Sequence, residues 1–301
     1  MKVRGDKAFH RICMVILSVF SIISIVPFIL LIMSSVSSET SLIQYGYNFI
    51  PKQFSLEAYE YLWMDAKEIF KAYGTTVIIT AGGTAISLLI TLMAAYPLSK
   101  NDFKHRNVIL FILFFTTLFN GGLVPSYVMW TKIFHIKNTY FAYLLPGMLC
   151  SAMGIILIKN YFKFNVPEAL MDAAKLDGAG EWNILFKIIV PISKPILAVT
   201  GINTGLAFWN DWQNGLYYID DTAKYNIQVL LNRILNDMQY MKTMYQQGNA
   251  SIGQVASITD SMPTTAARMA IAVIVILPIL LVFPFVQKYF VKGIVVGAVK
   301  G

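Results

Sequence analysis

Charge is what this chain has least of. Lysine, arginine, aspartate and glutamate make up 13% of its 301 residues, about half of what a soluble globular domain carries, while 56% are hydrophobic and the mean hydropathy is +0.60. That balance is the composition of an integral membrane protein. Cysteine is scarce too: Cys13 and Cys150 lie far apart in apolar runs with no metal-ligand spacing around them, so neither a disulfide framework nor a zinc site is supported. The three histidines, His10, His105 and His135, are scattered beside charged segments, and no HExxH, GxSxG or paired-cysteine motif appears, which argues against an enzyme. A phosphate loop of the form GxxxxGK(S/T) is also missing; the nearest approximation runs from Gly248 to Gly253 and is followed by Gln254. If ATP drives this protein, another chain binds it. The net charge of +8 comes without a basic cluster interleaved with stacking aromatics, which excludes nucleic acid as a partner.

What the chain has instead is long apolar runs. Residues 12–33 carry no charge and, at 1.5 Å per residue, reach across a hydrocarbon core of roughly 30 Å. A cleaved signal peptide is the alternative reading, since four cations precede the run, but a signal core of about 7–15 residues is shorter. Five more runs follow at about 74–97, 108–130, 139–158, 190–210 and 269–286. The fold expected is therefore all-α, with six transmembrane helices in a single membrane domain over 1–301. Gly82-Gly83, Gly121-Gly122 with Pro125, and Pro278 with Pro284 fall inside these runs, where close packing by neighbouring helices allows such residues.

Lysine and arginine number 14 in the N-terminus, 98–107, 159–189 and the C-terminal tail, against 8 in the longer segments 34–73, 131–138 and 211–267. By the positive-inside rule both termini are cytoplasmic. Of the two large external segments, the first contains SLEAYEYLWMDAKEIFKAY, with Leu56, Tyr59, Leu62 and Trp63 at helical spacing, and reads as a surface amphipathic helix. The second has a helical centre at IQVLLNRILNDM and a loop at QQGNASIGQ. Within the six runs there is no acid, and Lys194, near a cytoplasmic end, is the one base. This scarcity weighs against a proton- or sodium-driven carrier without excluding one.

One polar island stands out, NVPEALMDAAKLDGAGEWNILFKIIVP at 165–191. Asn165 can cap a short helix with Pro167 in its first turn and Glu168 near the positive end of its dipole. Asp177-Gly178 ends it, because glycine accepts the positive φ of a helix terminus. One face presents Ala169, Leu170, Ala173 and Ala174, while Asp172 and Lys175 point elsewhere. A helix of about 11 residues is marginal alone in water. Either it docks into a partner's groove, with Leu170 or Met171 inserted as the anchor, or it lies on the membrane surface.

The island resembles the EAA loop of binding-protein-dependent ABC importer permeases: E-A-A, three residues, G, nine residues, then I-x-L-P. Here Asp172-Ala173-Ala174 is followed after three residues by Gly178, and after nine more by Ile188, Val190 and Pro191. Asp replaces Glu and Val replaces Leu. Further stretches, FNGGLVPSYVMW (119–130), Asn138-Thr139 followed by LLPG (144–147), FWNDWQNGLYYI (208–219) and VQKYFVKGIVVGAVKG (286–301), are similar to the second permease of maltose-type sugar importers, in the branch that handles complex oligosaccharides or polysaccharide fragments. The resemblance implies a coupling helix between the fourth and fifth spans, formed by Glu168, Ala169, Leu170, Met171, Asp172, Ala173, Ala174, Asp177 and Gly178. It also implies a second, homologous permease as heterodimer partner, two ATPase subunits that carry the ATP and magnesium, an extracytoplasmic sugar-binding protein, and residence in a bacterial inner membrane. No cofactor is expected on this chain. A stand-alone secondary carrier is the competing function.

For a sugar pathway the residue types to look for are aromatic faces and amides, and Asn203, Trp209, Asn210 and Trp212 supply them around the outer end of the fifth span. The two tryptophans equally fit an interfacial aromatic belt.

Overall fold

In the computed structural model the described residues are 4–246 and 264–298. Among them the regular structure is helical, apart from one isolated bridge between Ser37 and Phe54. The helices are α1 (Arg4–Ser35), α2 (Glu39–Tyr45), α3 (Glu57–Met64), α4 (Ala66–Ser99), α5 (Arg106–Leu118), α6 (Leu123–Ile133), α7 (Phe141–Leu144), α8 (Ala152–Asn165), α9 (Glu168–Leu176), α10 (Glu181–Ile192), α11 (Lys194–Trp209), α12 (Gln213–Tyr218), α13 (Ile227–Gln246) and α14 (Thr264–Ala298). They fall into two compact units, one drawn from Met1–Lys67 and Leu231–Ile279, the other from Glu68–Leu230 and Leu280–Gly301.

Three helices are long and apolar enough to cross a membrane on their own: Phe9–Ser35 of α1, α4, and Thr264–Val282 of α14. They contain the expected runs 12–33 and 74–97 and part of 269–286. The other runs are interrupted. The run 108–130 breaks at 119–122, and α5 and α6 meet at 113°. Gly122, at φ +85°, takes a left-handed turn there, and Asn120 Oδ1 accepts its N–H at 2.9 Å. The run 190–210 is straight only from Lys194, and α10 joins it at 83°. Pro191 and Pro195 flank that corner; each lacks an N–H and disfavours helix in the residue before it. The run 139–158 is not one helix but α7, a turn through Pro146 and Gly147 (φ +75°), and α8, whose N-cap Ser151 accepts from Gly154 N. In each case backbone chemistry overrode a hydropathy that alone reads as continuous.

The first unit carries α1, along which the apolar window is wholly uncovered until Ser34 and Ser35 at its end. There Ser35 Oγ lies 2.8 Å from the Tyr59 hydroxyl of α3. The expected surface helix over 55–73 is the short α3; the break at Asp65 hands the rest to α4. Leu62 and Ala58 are buried, whereas Trp63 is 71% exposed. The first turn of α14 is capped from far away in the chain. The buried carboxylate of Glu39 accepts from Thr264 Oγ1 (3.0 Å), Thr265 N (2.9 Å) and Ala266 N (2.9 Å), supplying acceptors to donors that have none within the helix. In the segment 211–267 the expected helical centre is α13, while the loop expected at QQGNASIGQ lies, beyond Gln246, outside the described residues.

The second unit has its core where α4, α8 and α10 meet: Leu92, Ala95 and Leu98 pack with Ile155, Ile158 and Phe162, and with Ile184, Leu185 and Ile189. The polar island sits on this core.

Candidate functional site

The island folds into α9 and the turn that follows it. Asn165 is not its cap. It ends α8, where its amide donates to Tyr161 O at 3.2 Å, and Pro167 (φ −62°, ψ 130°) is the residue that leads into α9 without a side-chain cap. Glu168 in the first turn complements the helix dipole, and its Oε1 accepts from Asn101 Nδ2 at 2.7 Å. Asn101 Oδ1 in turn accepts from Arg106 Nη1 at 3.0 Å.

The helix stops where the sequence reading places it. Gly178 has φ +78°, its N–H donates to Lys175 O at 3.0 Å, and Ala179 N donates to Ala174 O at 2.9 Å. That pair of bonds is a Schellman turn, which needs a left-handed residue and so favours glycine here. Its apolar contact is also present, since Ala174 is buried in the core cluster and Ala179 packs against it. Just beyond, Glu181 accepts from both the Tyr96 hydroxyl and Lys100 Nζ, and that ammonium lies 4.4 Å from the Tyr96 ring centre. A nine-residue helix has little stability of its own. This one is pinned at both ends to the close of α4 and the loop after it.

The helix divides into two faces. Ala174 and Met171 turn inward to the core. Ala169, Leu170, Ala173 and Leu176 face outward with Asp172, Lys175 and Asp177 around them. Two points of the sequence reading are corrected: Ala174 belongs to the inner face, and of the two anchor candidates Met171 is used internally while Leu170 is 38% exposed. Leu176, at 89% exposed, was missed. The helical spacing from Ala169 and Ala173 signals it, three residues after Ala173 and seven after Ala169. Past the turn, between the end of α4 with its following loop and α10, a pocket of about 500 Å³ opens among Tyr96, Lys100, Phe103, Glu181, Trp182 and Leu185. Trp182, 63% exposed, stacks on Phe186 with ring centres 6.0 Å apart.

The four sugar-pathway candidates do not share one environment. Trp209 is buried, its ring centre 6.3 Å from that of Tyr73, so it serves packing. Asn203 and Asn210 are exposed, and Asn210 is the C-cap of α11, donating to Leu206 O and accepting from Gln228 Nε2 at 3.3 Å. Trp212 is 42% exposed. What the region does contain is a structural knot. Buried Asp211 accepts from Asn214 N and Nδ2 at the start of α12, and Asn226 donates to Asp211 O and accepts from Val229 N. The fully buried Tyr143 donates to Lys224 O and accepts from Asn226 N. Asn138, in the left-handed region, accepts from Asp220 N and Asp221 N. Burial pushes the Asp211 carboxyl above its ordinary range, whereas the hydrogen bond from Lys224 holds that of Asp221 below it. The dense Asn and Asp content of 208–226 is the signal for such a knot, but its partners are too far apart in sequence to be paired by inspection.

With α9 pinned to the core, residues 87–296 match the family described as the binding-protein-dependent transport system inner membrane component. The chain belongs to this family. It is thus an integral, multi-pass permease subunit of a transport system, not an enzyme, and the rival reading as a stand-alone carrier falls away. Among its relatives, Protein LplC of Bacillus subtilis is 35% identical over 91% of this chain and 89% of that protein. The polygalacturonan/rhamnogalacturonan transport system permease protein YtcP of the same organism is 33% identical over 98% and 99%. A chain in the crystal structure of a bacterial ABC transporter involved in the import of the acidic polysaccharide alginate superposes with a TM-score of 0.77 at 29% identity, over 96% of this chain and 99% of that one.

Proposed function

We propose that this permease is one half of the membrane pair of an ATP-driven importer for oligosaccharides or polysaccharide fragments, and that α9 is its coupling helix. The observation that carries the reading is a short helix pinned at both ends whose apolar stripe, Ala169, Leu170, Ala173 and Leu176, is left uncovered. Small alanines let a partner's backbone approach, and the leucines supply the anchors. The substrate class follows the relatives whose names specify polygalacturonan/rhamnogalacturonan transport and import of the acidic polysaccharide alginate. Six crossings are our reading of the chain, with α5–α6, α7–α8 and α10–α11 as broken spans and both termini cytoplasmic, a reading that the lysine and arginine distribution supports.

A second, homologous permease, two ATPase subunits holding ATP and magnesium, and an external sugar-binding protein complete the assembly. ATP closes the ATPase pair, α9 moves with its groove, and the pinned contacts at Asn101 and Lys100 pass the displacement to α4. In vesicles containing the complete importer, Ala173→Trp or Gly178→Asp is expected to leave the protein in the membrane while ATP-driven uptake of labelled oligosaccharide falls at least tenfold. Undiminished uptake by both variants would overturn the assignment.

A further inference from the structure

The end of the second unit that carries α9 also gathers three cations with no carboxylate at salt-bridge distance among the described residues. Arg106 opens α5, and Lys159 and Lys163 stand one turn apart on α8, the helix against which α5 packs. The ion pairs of this unit use other residues, Lys100 with Glu181, Lys137 with Asp220 and Lys224 with Asp221. Lys159 is partly buried and donates only to a neutral acceptor, Oδ1 of its neighbour Asn160, at 3.0 Å. Arg106 is joined through Asn101 to Glu168, three residues beyond the end of α8, which sets its guanidinium at the same end of the unit as Lys159 and Lys163. Arg106 makes both its bonds, to Lys100 O and Asn101 Oδ1, through Nη1, which leaves Nε and Nη2 for another acceptor. His105 caps no N–H of α5, whose first turn adds partial positive charge at the same place.

Charges that serve only to orient a span remain in water. Here a half-buried lysine on α8 has another lysine one turn away and no carboxylate partner among the described residues, an arrangement that an anion would relieve. The surface next to the cluster is equally specific. None of α5 is buried, and Val108, Phe111, Ile112 and Phe115 present an apolar face that begins at Arg106.

We propose that Arg106, Lys159 and Lys163 bind the phosphate of an anionic membrane phospholipid whose acyl chains lie along α5. A phosphate diester offers the oxygens that a guanidinium fork and two ammonium groups require, and basic pockets between membrane helices are a known setting for it. The bound lipid is also tied to α9 by two hydrogen bonds, from Arg106 to Asn101 and from Asn101 to Glu168. A consequence for transport rests on α9 being the coupling helix; the site itself does not.

The test uses the complete importer, solubilised and examined by native mass spectrometry during titration with phosphatidylglycerol, phosphatidylcholine or inorganic phosphate. Wild type is expected to retain phosphatidylglycerol about thirtyfold more tightly than Lys159→Gln/Lys163→Gln, at roughly one salt-bridge-sized loss per lysine. Lys159→Arg/Lys163→Arg retains wild-type binding, and phosphatidylcholine does not discriminate among the three. Equal phosphatidylglycerol retention by wild type and the glutamine variant overturns the site, and so does displacement of the lipid by millimolar phosphate, which would make the ligand a free anion. Reconstitution in phosphatidylcholine with and without phosphatidylglycerol separates the two claims. A lipid site that is present without any change in ATPase stimulation would overturn the consequence for transport and leave the site intact, while the coupling role of α9 is tested separately by Ala173→Trp and Gly178→Asp.

Discussion

Two short helices sit at the two ends of the α10–α11 corner and its long arm, and they treat their apolar residues in opposite ways. At the far end of α11, the six-residue α12 buries Gly215 and Tyr218 and is wrapped in the Asp211, Asn214, Asn226 and Tyr143 knot. On the α10 side, α9 is fixed mainly at its ends and leaves Leu170 and Leu176 in the open. Neither would form alone. One is completed by its own chain and the other, on the proposed coupling role, by a different one, so substitutions in the knot are expected to destabilise the protein, and substitutions on the outer stripe of α9 to disconnect it.

The largest effect belongs to the knot. A Cβ on Gly215 would stand 2.4 Å from Val229 Cγ2 and 3.0 Å from the Tyr143 ring, so Gly215→Val is expected to cost 3 kcal/mol or more, on the order of the severest overpacking. The readout is the yield of membrane-inserted, detergent-stable protein, which should collapse. Asn226→Leu comes next: it strands Val229 N and Asp211 O in a buried place, at about 2 kcal/mol, and thermal unfolding should begin several degrees earlier. At the other end Glu181→Gln weakens the clamp on Lys100 by about 1 kcal/mol and should loosen α9, seen as faster amide exchange over 168–180. Leu176→Ser sharpens the contrast most, because stability should change by less than about 0.5 kcal/mol while uptake per molecule drops several-fold. If Leu176→Ser destabilised the chain as Asn226→Leu does, the division into a closed and an open helix would fail.

The smallest effect is in pH. Burial raises the Asp211 carboxyl above its ordinary 3.8, so the folded protein holds that proton more tightly than the unfolded chain. Its contribution therefore declines as pH rises from about that ordinary value through the raised folded one, and it is greatest below both. Asp211→Asn, which cannot ionise, should remove this part of the decline. The difference between the melting curves of wild type and variant over mildly acidic pH measures it.

Much of α9 was legible from residue order alone. Proline before an acidic first turn, and Asp-Gly at the end, are local signals, and a Schellman turn involves only neighbours in sequence. The phase of the helix was legible only in part. The spacing puts Leu176 on the face of Ala169 and Ala173, but that Ala174 turns inward depends on where the α4, α8 and α10 side chains lie, which no local pattern encodes. The broken spans misled for a related reason: hydropathy averages over a window and overlooks Gly122, Pro146 with Gly147, and the Pro191–Pro195 corner, each of which acts at a single peptide. Of the two tryptophans near the end of α11, which composition reads equally as sugar platforms or an interfacial belt, Trp209 packs on Tyr73 and Trp212 stays half-exposed, a difference that residue type does not encode.

The carboxylate of Glu39, which caps α14, is separated from its partners by 225 or more residues, and they belong to the final long helix. A ribosome adding about 5–20 residues each second takes roughly 11–45 s to deliver them. For that interval an acid destined for burial waits with its intended donors still unmade. A nascent chain cut short before residue 264 never acquires them, so this cap closes only when the last long helix has been made.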